Sequence, residues 1–209
     1  MGVTTVVRVL RVAAAGLGTA ALVTAIVQGT GPVANYFSYF TIESNVLAVV
    51  ILLVGGLLDP RSDRWAYVRG AVTLYTTITG IVYAALLADD EVGLISPWVN
   101  DVLHQVMPLL VLADWVFRPP WPRVSYRAAL GWLAFPLAYF AYSLIRGPIV
   151  DWYPYPFLDP RPQGYDHVAV MAIVLGIAMA LLALVVLRIG RQRLEAQPAS
   201  AARTMSKRT

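Results

Sequence analysis

Six separate stretches of about 20 mostly apolar residues divide this chain, and they restrict the folds that it can adopt. A helix that crosses the hydrocarbon core of a bilayer needs about 20 such residues. Only 13% of the residues are charged, whereas a soluble domain carries about a quarter. We therefore predict an all-α integral membrane protein in which residues 1–190 form a bundle of six transmembrane helices. The predicted spans are residues 9–28, 36–57, 67–88, 97–117, 125–145 and 164–187.

The positions of lysine and arginine orient the predicted bundle, because cytoplasmic segments carry an excess of these residues. Fourteen of the 16 lie at the N-terminus, around the second and fourth connections, or in the C-terminal tail. The exceptions are Arg146 and Arg161. We predict that both termini are cytoplasmic, that the protein resides in the cell (plasma) membrane, and that residues 191–209 form a disordered basic tail.

Charge and cysteine content exclude several classes of function. The net charge of +4 follows from the basic residues that orient the helices, so we predict no nucleic-acid partner. The absence of cysteine excludes disulfides, thiolate metal sites and cysteine nucleophiles. The first apolar stretch is longer than the 7–15-residue core of a signal peptide, and we therefore count it as a span.

A layer of polar side chains lies within the predicted spans. Ionisable groups are costly inside a membrane and indicate a functional site by default. At about 1.5 Å per residue, Thr41, Glu43 and Asn45 lie roughly 7 to 14 Å below the outer start of the second span. Asp101 and His104 lie roughly 6 to 10 Å below the outer start of the fourth. The two sets therefore share one depth, whereas Asp114 is expected near the cytoplasmic interface.

The residue types in this layer are suited to nucleophilic catalysis. A hydroxyl becomes a useful nucleophile when a base accepts its proton, and histidine has a suitable pKa. We predict that Thr41 faces His104 and that Asp101, three residues earlier, orients the imidazole. Asn45 is a candidate donor to a developing oxyanion. Glu43 is a supporting residue or a structural partner of a tyrosine or of Arg146.

The same residues leave other interpretations open. Stripes of serine, threonine and glycine often serve helix packing. Proton-coupled transport through Glu43, Asp101 and His104 is physically reasonable, although Asp114 would be its only ionisable continuation. Haem bound between His104 and His167 is a further possibility. A scaffold without enzymatic activity is the remaining alternative.

The connection between the fifth and sixth predicted spans is rich in proline and aromatic residues. Trp152, Tyr153 and Tyr155 suit a membrane interface, where amphipathic rings are enriched. They form either an interfacial aromatic belt or a lid over the polar layer.

Three segments of the chain resemble the androgen-induced (FAR/AIG-like) family of six-helix membrane proteins and its bacterial relatives. They are YFTIESN at residues 39–45, VLHQVMPLLVLAD at 102–114 and DWYPYPFLD at 151–159. Characterised animal members are threonine hydrolases that cleave fatty acid esters of hydroxy fatty acids. The resemblance implies no metal or organic cofactor.

By this resemblance, Thr41 corresponds to the family nucleophile and His104 to the family histidine. The aromatic segment has one residue more than the family pattern W-x-Y-P-F-L-acid, and residues 43–45 follow the bacterial form of the motif. The leading prediction is a membrane-embedded hydrolase of lipid-like esters, whose partners are membrane lipids and its ester substrate. The alternative is a proton-coupled transporter or a scaffold, and the sequence does not specify an oligomeric state.

Overall fold

The computed structural model describes residues 3–87, 96–118 and 124–206, and over these ranges the chain forms helices and turns but no β-strand. Two segments, Tyr83–Leu87 and Val102–Val106, form π-helical turns. The α-helices are α1 (Val3–Gln28), α2 (Val33–Tyr36), α3 (Phe40–Leu57), α4 (Asp63–Val82), α5 (Pro97–Asp101), α6 (Met107–Phe117), α7 (Tyr126–Leu130), α8 (Ala134–Val150) and α9 (Pro160–Ser206).

Five helical stretches in the described ranges are long and apolar enough to cross a membrane, which agrees with a helical membrane bundle. They are Thr4–Gln28, Phe40–Leu57, Asp63–Leu87, Tyr126–Val150 and Pro160–Arg191. They correspond to five of the six predicted spans, with shifted ends. The second begins at Phe40 rather than at residue 36, because a turn at residues 37–39 separates α2 from α3.

The fourth predicted span, residues 97–117, is helical throughout but is not among these five. We call it the α5–α6 helix. Its polar side chains, which include Asn100, Asp101, His104, Gln105 and Asp114, lower its mean hydropathy. The residues that suggest a function are therefore the residues that weaken its signal as a span.

Helix α4 lies at the centre of the bundle and packs against α3, α6 and α9. Small residues allow these helices to approach closely. A Cβ added at Gly70 would lie 2.3 Å from the Trp132 ring, and one at Gly80 would lie 3.0 Å from the His104 carbonyl oxygen. Helix α1 packs along α3, where a Cβ at Gly56 would lie 2.6 Å from a methyl carbon of Val12. Close packing of this kind is the main source of association between helices in lipid.

A charged cluster of Arg11, Asp59, Arg69 and Asp114 joins four segments of the bundle. Arg11 Nε lies 2.6 Å from Asp114 Oδ1, and its Nη1 lies 3.0 Å from Asp59 Oδ1. Arg69 Nη2 lies 2.8 Å from Asp114 Oδ2. Asp114, which the sequence places near the cytoplasmic interface, is only 12% exposed and is bound by two buried guanidinium groups. The cluster links α1, the end of α3, α4 and α6.

Residues 151–159, here called the aromatic loop, connect α8 to α9. The loop begins at Asp151, which ends α8 in the left-handed region (φ 50°). Tyr153 can pack onto α8 because residue 147 is glycine: a Cβ at Gly147 would lie 2.0 Å from Tyr153 Cε1. Arg161 forms salt bridges with Asp151 and Asp159, and its hydrogen bonds hold the pKa of Asp159 below its usual value. The two ends of the loop are therefore tied together.

Helix α9 changes direction at Gly164, whose φ of 79° is not helical. The helix continues beyond residue 191 to Ser206, in the region where the sequence predicts a disordered tail. Alanine, arginine and glutamine are frequent there, and these residues have high helix propensity.

Candidate functional site

The structure brings together the hydroxyl and the imidazole that the sequence predicts to meet. Thr41 is the second residue of α3, and its Oγ1 lies 3.2 Å from His104 Nε2 in the α5–α6 helix. Thr41 is 5% exposed and His104 is 2% exposed. Two residues 63 positions apart in sequence thus form a buried hydrogen-bonded pair, which we call the dyad.

The second ring nitrogen of His104 fixes the direction of this hydrogen bond. Nδ1 lies 3.1 Å from the Asn100 carbonyl oxygen, and a carbonyl oxygen can only accept. The proton of the neutral ring therefore resides on Nδ1, and Nε2 has a free lone pair. The Thr41 hydroxyl donates to Nε2, which is the direction that a base needs for removing the hydroxyl proton.

A stacked tyrosine and two π-helical turns hold the imidazole in place. The Tyr83 ring stacks on His104 with centroids 4.3 Å apart, and Asn100 Nδ2 donates to the Tyr83 hydroxyl over 2.5 Å. Tyr83 and His104 each lie on a π-turn, and π-turns inside helices are frequent at functional sites. Pro108 has no N–H for the His104 carbonyl. This proline was the one sequence signal for an irregular helix at this position.

The prediction that Asp101 orients His104 is wrong. Asp101 is exposed, and its Oδ1 accepts a hydrogen bond from Gln105 Nε2 at 3.1 Å. A separation of three residues places two side chains on one face of a regular α-helix. The π-turn Val102–Val106 changes that register, and the Asn100 carbonyl takes the orienting role.

The prediction that Asn45 donates to an oxyanion is also wrong, because both of its N–H groups are used. Asn45 Nδ2 lies 2.8 Å from the Thr41 carbonyl oxygen and 3.0 Å from the Leu103 carbonyl oxygen. The amide is fully buried and connects α3 to the α5–α6 helix directly below the dyad. Asn45 therefore has a structural role in holding the two helices together.

Glu43 has none of its predicted pairings. Its Oε2 is buried and has no hydrogen-bond partner among the described residues. Arg146 instead donates to Asn35 Oδ1 at 2.6 Å and lies over the Trp152 ring. Glu43 does not line the cavity beside the dyad.

One of the three predicted lid residues reaches the dyad. The Tyr155 hydroxyl lies 3.1 Å from Thr41 Oγ1 and 3.2 Å from the Thr41 backbone nitrogen. Trp152 packs edge-on against Tyr39, and Tyr153 lies under Arg161. The contact between Tyr155 and Thr41 joins residues 114 positions apart in sequence, and no periodicity could have indicated it.

An apolar cavity of about 380 Å³ lies beside the dyad, and Thr41, His104 and Tyr155 form part of its wall. Among the described residues, its lining includes no ionisable acid or base other than His104 and tyrosines. Leu137 of α8 and Ile173 of α9 line the cavity while being 65% and 62% exposed. These two side chains mark a mouth on the apolar flank of the bundle, between α8 and α9.

The geometry does not favour haem between His104 and His167. Both ring nitrogens of His104 have protein partners, and His167 is exposed on α9 and does not line the cavity. Within residues 3–87, 96–118 and 124–191, no group of three or more histidine or acidic side chains is placed to hold a metal ion.

Comparisons with known proteins leave the site to be interpreted from its own geometry. No family model matches the chain, and no curated protein or solved structure is significantly similar to it.

Proposed function

We propose that the protein is a membrane-embedded hydrolase of lipid-like esters, in which Thr41 is the nucleophile and His104 is the general base. The observation that carries the proposal is the Thr41 Oγ1–His104 Nε2 hydrogen bond of 3.2 Å in the wall of an apolar cavity. A hydroxyl hydrogen-bonded to a base that is itself oriented by a third group is the recurring arrangement of nucleophilic catalysis.

The chemistry would proceed in two balanced halves. His104 Nε2 takes the Thr41 hydroxyl proton while Oγ1 attacks the ester carbonyl carbon, and the carbonyl π electrons move to its oxygen. Collapse of this intermediate breaks the carbon–oxygen bond to the alcohol, which leaves with the proton from Nε2. Water then repeats the sequence on the acyl-threonine and releases the acid. The Asn100 carbonyl, 3.1 Å from Nδ1, stabilises the imidazolium that forms in each half.

The cavity supports a substrate with an apolar acyl chain. A charged group would be desolvated in this cavity without a partner at considerable cost. The exposed side chains at the mouth, Leu137 and Ile173, would face lipid, so an amphiphile could reach the dyad laterally from the membrane. An ester of a fatty acid with a hydroxy fatty acid, which the family resemblance implies, has the required chain and carbonyl.

The proposal includes a topology of six spans in the cell membrane with both termini in the cytoplasm. In that topology the dyad would lie in the outer half of the bilayer. The absence of cysteine makes the topology testable with single introduced cysteines. An impermeant thiol reagent applied to intact cells should label Gly31→Cys but should label Arg61→Cys only after permeabilisation. The reverse pattern would overturn the proposed orientation.

The enzymatic proposal is tested with purified protein, a fluorophosphonate probe and a fatty acid ester of a hydroxy fatty acid. Thr41→Val removes the hydroxyl but keeps the branched shape, and should lower turnover by about 10⁴-fold or more. Thr79→Val is the matched control, because Thr79 lines the same cavity but bonds Ser44 and the Tyr75 carbonyl. Labelling and turnover that survive both Thr41→Val and His104→Ala would refute the mechanism.

Proton-coupled transport remains the second candidate because Glu43 Oε2 is buried without a hydrogen-bond partner among the described residues. Proton flux into liposomes that depends on a solute and is abolished by Glu43→Gln would favour transport. A protein that is inactive in both assays would favour a scaffold.

A further inference from the structure

The Tyr155 hydroxyl makes two contacts with one residue, and together they define its hydrogen bonding. Its oxygen lies 3.2 Å from the Thr41 backbone nitrogen, which can only donate, so the phenol oxygen accepts there. The Thr41 hydroxyl proton is already directed at His104 Nε2. In the second contact, at 3.1 Å, the phenol must therefore donate its own proton to Thr41 Oγ1.

This arrangement points a hydrogen-bond donor at the nucleophile in addition to the base. Burial raises the pKa of the Tyr155 phenol to about 12, so the group remains a donor across the physiological range. The phenol is also positioned firmly. Its ring packs parallel to Phe157 and edge-on to Tyr39, and Arg161 ties the ends of the aromatic loop.

We propose that Tyr155 is a third catalytic residue, whose hydroxyl donates a hydrogen bond to the substrate oxygen that becomes negative when Thr41 attacks. The inference rests on the proposed function. When Oγ1 bonds to the carbonyl carbon, the oxyanion and Oγ1 become substituents of one tetrahedral carbon. A donor that bonds Oγ1 in the free enzyme is therefore within a small rotation of the oxyanion. The phenol keeps its proton throughout, so the balance of the two half-reactions is unchanged.

The role fills a gap in the site. Nucleophilic acyl transfer needs a donor aimed at the developing oxyanion. Asn45 cannot serve because its N–H groups bind two carbonyl oxygens, and the exposed Asp101 accepts a hydrogen bond from Gln105. Tyr155 is the group whose hydroxyl touches Oγ1, lines the cavity and retains a proton to donate.

Tyr139 supplies a matched control. Its hydroxyl also lies at the start of α3, 3.3 Å from the Phe40 backbone nitrogen, and it donates to the Ser38 carbonyl at 2.9 Å. Both tyrosines are buried and line the same cavity. Tyr139 has no hydrogen bond to Thr41 Oγ1, so a purely structural role predicts similar effects for the two Tyr→Phe variants.

The test compares Tyr155→Phe and Tyr139→Phe in full-length purified protein, with the same ester and fluorophosphonate probe. Loss of one oxyanion donor lowers kcat by about 100-fold, and we expect this for Tyr155→Phe, with KM and the pH profile of the base little changed. The rate of fluorophosphonate labelling should fall in parallel, because that reaction also develops charge on oxygen. For Tyr139→Phe, which alters the cavity wall but removes no donor to Thr41 Oγ1, we expect a loss of kcat about tenfold smaller than for Tyr155→Phe.

The outcomes separate the inference from the function on which it rests. Wild-type turnover with equal kcat values for Tyr155→Phe and Tyr139→Phe would overturn the role of Tyr155 alone. A Tyr155→Phe defect that appears only in KM or in thermal stability would do the same, because it would show a positioning or structural role. Wild-type protein that neither turns over the ester nor reacts with the probe would overturn the proposed function and the inference with it.

Discussion

The two ends of the α5–α6 helix differ in how their polar groups are surrounded. At one end, Asp114 binds Arg11 and Arg69 at distances of 2.6 to 2.8 Å, and Arg11 also binds Asp59. Each of these charges has a partner of opposite sign. At the other end, the dyad residues are hydrogen-bonded to each other, and they border an apolar cavity of about 380 Å³.

The comparison distinguishes polar side chains that hold helices together from polar side chains that could bind a ligand. Removing one member of a buried ion pair leaves an uncompensated charge and is strongly destabilising. A cluster with no vacant position can therefore fix how helices pack, but it offers nothing to a ligand. The dyad has a donor, an acceptor and adjacent space, which are the requirements of a binding site. Ionisable residues inside a membrane deserve a functional interpretation only when space accompanies them.

The largest expected effect is the loss of activity when the dyad histidine is replaced. We expect His104→Gln to lower ester turnover by about 10⁴-fold, because Nε2 is the proposed base for the Thr41 proton. Folding stability should change by no more than about 2 kcal/mol. Turnover assays with unfolding in mixed micelles would measure both. A loss of turnover that is fully explained by a smaller folded fraction would show that the dyad is structural.

At the charged cluster we expect the converse. Asp114→Ala leaves two buried guanidinium groups without this partner and should lower the free energy of unfolding by about 3 to 5 kcal/mol. Turnover per folded molecule should be retained. Asp101→Ala, which changes an exposed acid on the same helix, should alter stability by about 0.5 kcal/mol at most. Stability of Asp114→Ala equal to that of the control would contradict the structural role.

A substitution at Gly176 tests whether the cavity binds the acyl chain. This glycine lines the cavity, and a Cβ added there would meet nothing within 4 Å. Gly176→Leu should reduce turnover of long-chain esters relative to short-chain esters by about 10- to 100-fold, because the side chain occupies space needed by the acyl chain. Gly16→Leu on α1, where a Cβ also meets nothing, is the control. Unchanged chain-length preference would place the acyl chain elsewhere.

Asn45 tests whether its two hydrogen bonds are structural. Asn45→Ala leaves the carbonyl oxygens of Thr41 and Leu103 without this donor, and should cost about 1 to 3 kcal/mol in the free energy of unfolding. Turnover of the folded fraction should stay within about tenfold of the wild type. A loss of kcat at unchanged stability would restore Asn45 as an oxyanion donor.

The smallest effect concerns the aromatic loop and pH. Arg161 lowers the pKa of Asp159, so the salt bridge contributes at pH values above the usual carboxyl pKa and is lost as pH falls through the lowered pKa. Fluorescence of the tryptophans and proteolysis of the loop should report this loosening in acid. In Asp159→Asn, the aromatic loop should be cleaved faster at neutral pH, and its cleavage should change less when the pH is lowered. Identical acid responses of the variant and the wild type would remove this ion pair as the cause.

The parts of the site that depend on helix length and depth could be predicted from the sequence. Thr41 and His104 could be matched because a rise of about 1.5 Å per residue converts sequence position into depth in a membrane. The failures at Asp101 and Asn45 have a different origin. The first followed from a π-turn that changes the face of the helix, and the second from amide hydrogens that bind backbone carbonyls.

The sequence by itself determined an all-helical chain with apolar segments of membrane-spanning length, and it identified the hydroxyl and the imidazole of the dyad, because hydropathy and helical rise are local properties. The tertiary structure alone decided that Tyr155 reaches Thr41, that Asp114 is bound by Arg11 and Arg69, and that α8 and α9 flank a cavity. Each of these depends on residues distant in the chain meeting through close packing, and no local pattern encodes such contacts.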